Sequence, residues 1–210
     1  SYSFPFYDRI LQGFLDALKI DATGLAVHDL GGPIGLYWAC KHPERLRKLA
    51  LLNTLVYPEF SWAVIVFGLA CRLPGVRSWI ASPAGLRFAI RFGVTQPDLL
   101  TDETIAGVQA PFVSVDARRA LVKAGTGLHP KGFVEIAAGL PSLKVPVRVI
   151  YGERDRILPD VGKTMCRVAG DLPQAEVTAL PDCGHFLQEE RPDEIGRLLA
   201  DFFAGQSAGR

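Results

Sequence analysis

Apolar positions along the chain follow two rhythms. Short, nearly unbroken apolar runs occur at 24–28, 48–53, 145–151 and 175–180. Bounded by turn formers, such runs predict strands buried on both faces of a parallel sheet. Apolar residues at helical spacing occupy 9–18, 33–40 and 192–203. Strands separated by helix-length stretches predict an α/β fold, with helices on both faces of the sheet.

The stretch 54–144 carries no strand signal. Helix-like pieces fall at 59–72, 83–92, 102–108, 116–123 and 131–138, with Pro and Gly at the joints. This predicts a helical cap inserted over the sheet. The chain then divides into a core segment 1–56, a cap 57–141 and a second core segment 142–210. With the sheet starting abruptly at Gly24, the first strand is expected to expose an unpaired edge, an aggregation liability.

Composition narrows the function classes. Hydrophobic residues make up 49% and charged residues 21%, ordinary for a globular chain, and the formal charge is +1. Such a balance gives no reason to expect nucleic acid or an acidic membrane as partner. The most apolar run, 62–71, falls short of the roughly 20 residues of a membrane-spanning helix. No charged-then-apolar leader opens the chain, which starts at Ser1 without a methionine. Cys40, Cys71, Cys166 and Cys183 share no metal or redox spacing. They read as reduced thiols of a cytoplasmic protein. Nothing implies a metal or an organic cofactor.

The candidate chemistry begins at 26–32, AVHDLGG. A strand that turns sharply into a helix needs small residues around its apex. Gly31 supplies one downstream, with Gly32 close behind, and Val27 is a tolerable residue upstream. The apex is Asp29. A helix N-cap would suit an aspartate equally well. No serine lies in a Gly-x-Ser-x-Gly context anywhere in the chain. Two later segments, YGERDRILP at 151–159 and PDCGHF at 181–186, place Asp155 and His185 just beyond the third and fourth strands. Nucleophile, acid and histidine in that order, each at a strand's carboxyl end, is a hydrolase arrangement.

VHDLGG, YGERDRILP and DCGHFLQEERPDEI, with HPERLRKLALLNT between the first two, resemble the haloalkane dehalogenase and epoxide hydrolase branch of the α/β-hydrolase family. The resemblance implies Asp29 as nucleophile, Asp155 as acid and His185 as base, with the Leu30 N–H in an oxyanion hole. His28 and His42 are assigned to structure, His129 to a loop and Glu153 to the surface. After the second strand stand Asn53 and Thr54, so no carboxylate rivals Asp155. The family's His-Gly segment is absent upstream of Gly24, so the chain is expected to lack N-terminal strands and to be weakly active alone.

The implied reaction is hydrolysis of a small apolar substrate through an aspartyl ester, as in a haloalkane dehalogenase. Leu30 stands where dehalogenases usually carry a halide-gripping tryptophan, leaving Trp62 and Trp79 as candidate indole donors. Epoxide hydrolysis is the alternative, disfavoured because the cap has no tyrosine beyond Tyr57 at its start. A non-catalytic scaffold of the same fold is the reading from another class. The expected partners are a small apolar molecule and water.

Overall fold

In the computed structural model of the chain, residues 2–205 are described. Four strands, β1 (Thr23–Asp29), β2 (Leu46–Thr54), β3 (Val147–Gly152) and β4 (Ala175–Leu180), pair in that order. Every pairing is parallel. Helix α1 (Phe4–Ala17) precedes the sheet and α2 (Gly31–Lys41) joins β1 to β2. Six helices separate β2 from β3: α3 (Trp62–Ala70), α4 (Pro74–Ile80), α5 (Pro83–Gly93), α6 (Asp102–Gln109), α7 (Val115–Thr126) and α8 (Pro130–Gly139). Helix α9 (Val161–Asp171) joins β3 to β4, and α10 (Leu187–Glu190) and α11 (Pro192–Ala204) follow.

The sheet sorts its residues by parity, because successive strand side chains point to opposite faces. Leu49 and Leu51 of β2 and Val147 and Val149 of β3 join Leu36, Trp38, Ile136, Met165 and Val168 in the main core. Their neighbours Ala50, Leu52 and Ile150 pack instead with Leu187 and Ile195, under Leu198 and Phe202. Leu49 and Leu51 are fully buried, each worth roughly 1.5–3 kcal/mol of transfer free energy. Lys48 is buried too, and its Nζ donates to the carbonyl oxygens of Phe202, at 2.8 Å, and Phe203, at 3.2 Å. A cation at the carbonyl end of α11 suits the helix dipole and fixes that helix across the sheet. Strand β1 pairs with β2 alone among the described residues, so its outer edge is open.

Side-chain caps open helices of the insertion. Ser82, Thr101 and Ser114 accept from the N–H groups of Gly85, Thr104 and Ala117, starting α5, α6 and α7. Such a cap is worth typically about 1 kcal/mol. The helix expected at 59–72 is shorter, and a second helix, α4, leaves it at 110°. Pro74 causes the break: the residue before a proline avoids helical backbone, and Leu73 is extended at ψ 118°. Helix α1 begins at Phe4 rather than at 9, with a proline in its first turn where a missing N–H costs nothing. The sequence reading places no helix at α9, whose buried side is only Val161, Met165 and Val168.

The elbow accommodates Val27 in a way the sequence reading misses. A Cβ added to Gly35 of α2 would lie 2.6 Å from Val27 Cγ1. The bulk before the apex is thus absorbed by a bare backbone one helical turn along. Gly35→Ala is expected to destabilise the chain by about 1–3 kcal/mol. Combined with Val27→Ala, the loss should fall short of the sum of the two single losses by at least about 0.5 kcal/mol. Strict additivity of the two changes in urea unfolding would refute this pairing.

Candidate active site

The three chemistry-bearing residues singled out in the sequence converge at the carboxyl ends of β1, β3 and β4. His185 Nδ1 lies 2.8 Å from Asp155 Oδ2, and Nε2 on the other side of the ring lies 3.6 Å from Asp29 Oδ1. The Asp155 and His185 side chains are essentially sealed, whereas the Asp29 carboxylate is 41% exposed. A buried Asp–His pair thus points at a partly exposed carboxylate.

Asp29 does not cap α2. The N-cap position is Leu30, with no side-chain capping bond. Asp29 holds a left-handed backbone at φ 49°, a conformation costly for most residues but tolerable for aspartate. Its carbonyl oxygen accepts from the Thr54 hydroxyl at 2.6 Å, which pins the apex to the end of β2. Leu30, Gly31 and Gly32 open α2, so their N–H groups belong to the helix terminus that lacks intrahelical partners. These donors and the positive end of the helix dipole gather beside Asp29.

Asp155 is held by four donors. Ile157 and Leu158 donate their backbone N–H groups to Oδ1 at 2.8 and 2.7 Å, and the Asn53 amide donates to Oδ2 at 2.7 Å. The fourth is His185. Burial alone would push this carboxyl up. The hydrogen bond and charge of His185, then Leu158 and Asn53, outweigh burial and hold it below the ordinary aspartate range. His185 shows the opposite balance. Burial favours the neutral ring, but the bond and charge of Asp155, with the charge of Asp29, raise it above the usual imidazole value.

Asn53 is a site residue that sequence reasoning passes over as merely not a carboxylate. The β1–β2 register pairs His28 with Leu52 and Asp29 with Thr54, so Asn53 is an extra residue in β2. It sits in a bulge at φ 23°. The bulge turns its amide into the sheet end, where Oδ1 accepts from the Gly152 N–H at 2.8 Å and Nδ2 also reaches Gly184 O at 3.2 Å. One side chain therefore ties the acid's strand to the histidine's loop. An asparagine closing an apolar strand is the available signal.

His28 packs its ring 4.7 Å from that of His185 and donates from Nε2 to the His185 carbonyl at 2.9 Å. Burial, then the neighbouring imidazole, lowers its pKa and keeps it neutral. His42 closes α2 and contacts Asp8 at 2.9 Å. His129 accepts from the Lys131 N–H as the N-cap of α8. Trp62 is 72% exposed on α3, and Trp79 rests against Phe88 at 5.5 Å.

Residues 1–192 match the family described as alpha/beta hydrolase fold. The chain belongs to that family. Its relatives include the uncharacterized hydrolase YugF of Bacillus subtilis, 29% identical over 96% of this chain and 72% of that protein. Another is the 2-hydroxymuconate semialdehyde hydrolase of Pseudomonas sp. CF600, 28% identical over 93% of this chain and 67% of that enzyme. This α/β-hydrolase chain spans only 66% of the Cupriavidus pinatubonensis 2-hydroxy-6-oxononadienedioate/2-hydroxy-6-oxononatrienedioate hydrolase, at 26% identity over 92% of its own length.

Solved structures give the same fold. The haloalkane dehalogenase DatA from Agrobacterium tumefaciens superposes with a TM-score of 0.79 at 20% identity, covering 96% of this chain and 72% of that one. A variant of the meta-cleavage product hydrolase CumD reaches 0.77 at 17% identity, with coverages of 98% and 73%. Among the described residues, no single helix is long and apolar enough to cross a membrane.

Proposed function

We propose that this hydrolase acts through an aspartyl ester, in the manner of a haloalkane dehalogenase, on a small apolar substrate. The observation that carries the reading is a carboxylate at the elbow apex, 3.6 Å from the outward nitrogen of an acid-backed histidine. A carboxylate needs no deprotonation at neutral pH and can attack an sp³ carbon directly. Asp29 Oδ forms the new C–O bond while the leaving group departs with its electron pair. Water then attacks Asp29 Cγ, giving its proton to His185 Nε2, with the Leu30 N–H facing the developing oxyanion. Collapse expels the alcohol, which takes the proton back, and the water oxygen remains in Asp29. Asp155 holds the Nδ1–H tautomer throughout. The helical insertion, taken as 57–141, supplies the apolar cover, and Trp62 and Trp79 are its candidate contacts for a leaving group. A cytoplasmic location belongs to the same proposal.

Single turnover in heavy-oxygen water tests it, with 1-bromobutane as probe. Label is expected in the peptide containing Asp29, accompanied by bromide release. A second reading is hydrolysis at a carbonyl carbon, favoured by the names of the sequence relatives, which include hydrolases of 2-hydroxy-6-oxononadienedioate and 2-hydroxymuconate semialdehyde. Turnover of such a ketone substrate with Asp29 unlabelled would select that reading.

The pH dependence follows with a definite sign. The Asp29 charge helps raise the His185 pKa in the free protein, and esterification removes that charge. His185 should therefore lose its proton at lower pH in the ester than in the free protein. Because the neutral ring is the base, ester decay should rise with pH through a limb below the free-protein midpoint. Titrating the ring by NMR and timing ester decay across pH gives both midpoints, and a decay limb above the free value would contradict the assignment.

A further inference from the structure

We propose that Glu190 and Thr95 form a strap seating the helical insertion against the histidine loop, making Glu190 a positioning residue for His185 in the water-activating step. This rests on the aspartyl-ester reading above.

Glu190 closes α10 and is buried. Its Oε1 accepts the Gly184 N–H at 2.6 Å, immediately before His185, and its Oε2 accepts the Thr95 N–H at 2.8 Å. The Thr95 hydroxyl also contacts Oε2 and lies 2.8 Å from the Asp182 carbonyl. Thr95 follows α5, so one carboxylate joins the insertion to the loop that carries the base. No cation within ion-pair distance neutralises it among the described residues. A buried charge of this kind is sustained by its amide donors.

The two backbone segments leave no slack around this strap. The His185 N–H donates to the Gly93 carbonyl at 2.6 Å. A Cβ on Gly184 would fall 2.3 Å from that same carbonyl, and one on Gly93 would fall 2.5 Å from the Phe186 ring. Displacing the end of α5 therefore drags Gly184 and His185 with it. The His185 ring is fixed at Nδ1 by Asp155, but the reach of Nε2 toward Asp29 depends on where the backbone at 184–185 stands. Alkylation uses Asp29 alone and does not need that reach, whereas ester hydrolysis does. The strap thus couples the seating of the insertion to the second half of the reaction.

Glu190→Gln preserves shape but turns an amide NH₂ toward a backbone N–H, and Thr95→Val removes the hydroxyl isosterically. With 1-bromobutane, rapid quench and intact-mass analysis, both variants should alkylate within about two-fold of the parent. Their ester decay should slow by about ten-fold or more, the scale set by misplacing a catalytic group by less than an ångström. Thr95→Ser should restore decay, and Glu189→Gln, whose carboxylate bonds to neither segment among the described residues, should leave both rates unchanged. A second readout needs no substrate: the low-field proton resonance of the His185–Asp155 hydrogen bond should exchange faster in Glu190→Gln and Thr95→Val. Unchanged decay together with an unchanged resonance overturns the strap. If Glu190→Gln does not fold, Thr95→Val and Thr95→Ser decide it. Failure of the parent and of His185→Ala to form any ester would sink the aspartyl-ester reading instead, and the resonance then decides the strap alone.

Discussion

The His185→Ala protein is expected to consume one equivalent of alkyl electrophile and stop, with the alkyl group held on Asp29. Alkylation requires only the carboxylate at the apex, and that carboxylate is left in place. Decay of the ester requires a base within reach of the attacking water, a role worth about 10²–10⁴-fold in rate. Multiple turnover should fall by that factor while the first-turnover burst persists. The change should leave the chain folded, because Asp155 keeps Asn53, Ile157 and Leu158 as donors after its imidazole partner is gone. His185→Gln is the companion that fills more of the vacated space beside His28 and Phe186. Intact-mass analysis after a short exposure to 1-bromobutane reads the result directly. Undiminished multiple turnover in both variants would remove His185 from the mechanism.

What the sequence makes legible is whatever depends on local pattern. Asp29, Asp155 and His185 each follow an apolar strand within a few residues, so the strand pattern itself places them at one end of the sheet. The starts of α5 and α6, read at 83 and 102 in the sequence, are legible for the same reason, since a helix start is marked by its own neighbours in the chain. Partnerships across long separations are not. Asn53 meets Asp155 102 residues away, and Glu190 meets Thr95 95 residues away. No periodicity announces either pair. Asn53 depends further on a bulge, one residue inserted into a register that only the paired strand reveals. The apolar segment at 59–72 misleads for a different reason. The pattern runs apolar from Trp62 to Cys71 without marking where α3 ends, and Pro74 then turns the chain, leaving α3 with no buried residue and Trp62, Phe67 and Leu69 largely exposed.

The two glycines after the apex separate what a tight turn needs from what packing needs. Sequence alone makes Gly31 the residue the turn requires, with Gly32 secondary. The structure reverses that order. A Cβ on Gly31 would meet nothing within 4 Å, whereas one on Gly32 would sit 1.5 Å from Thr54 Oγ1 and 2.5 Å from Thr54 Cβ. Thr54 is itself buried at the end of β2 and cannot swing aside without surrendering its bond to the Asp29 carbonyl. Gly32→Ala must therefore push α2 away from the sheet or unseat the apex. The expected loss is about 3 kcal/mol or more, at the severe end of overpacking. Whatever protein remains folded should alkylate slowly, because Asp29 would no longer be pinned. Gly31→Ala is expected to change stability by less than about 0.5 kcal/mol, alanine being the better helix former. Urea unfolding of the two variants side by side measures the contrast. Equal midpoints would mean that α2 does not press against Thr54, and the tie between strand end and nucleophile would go with it.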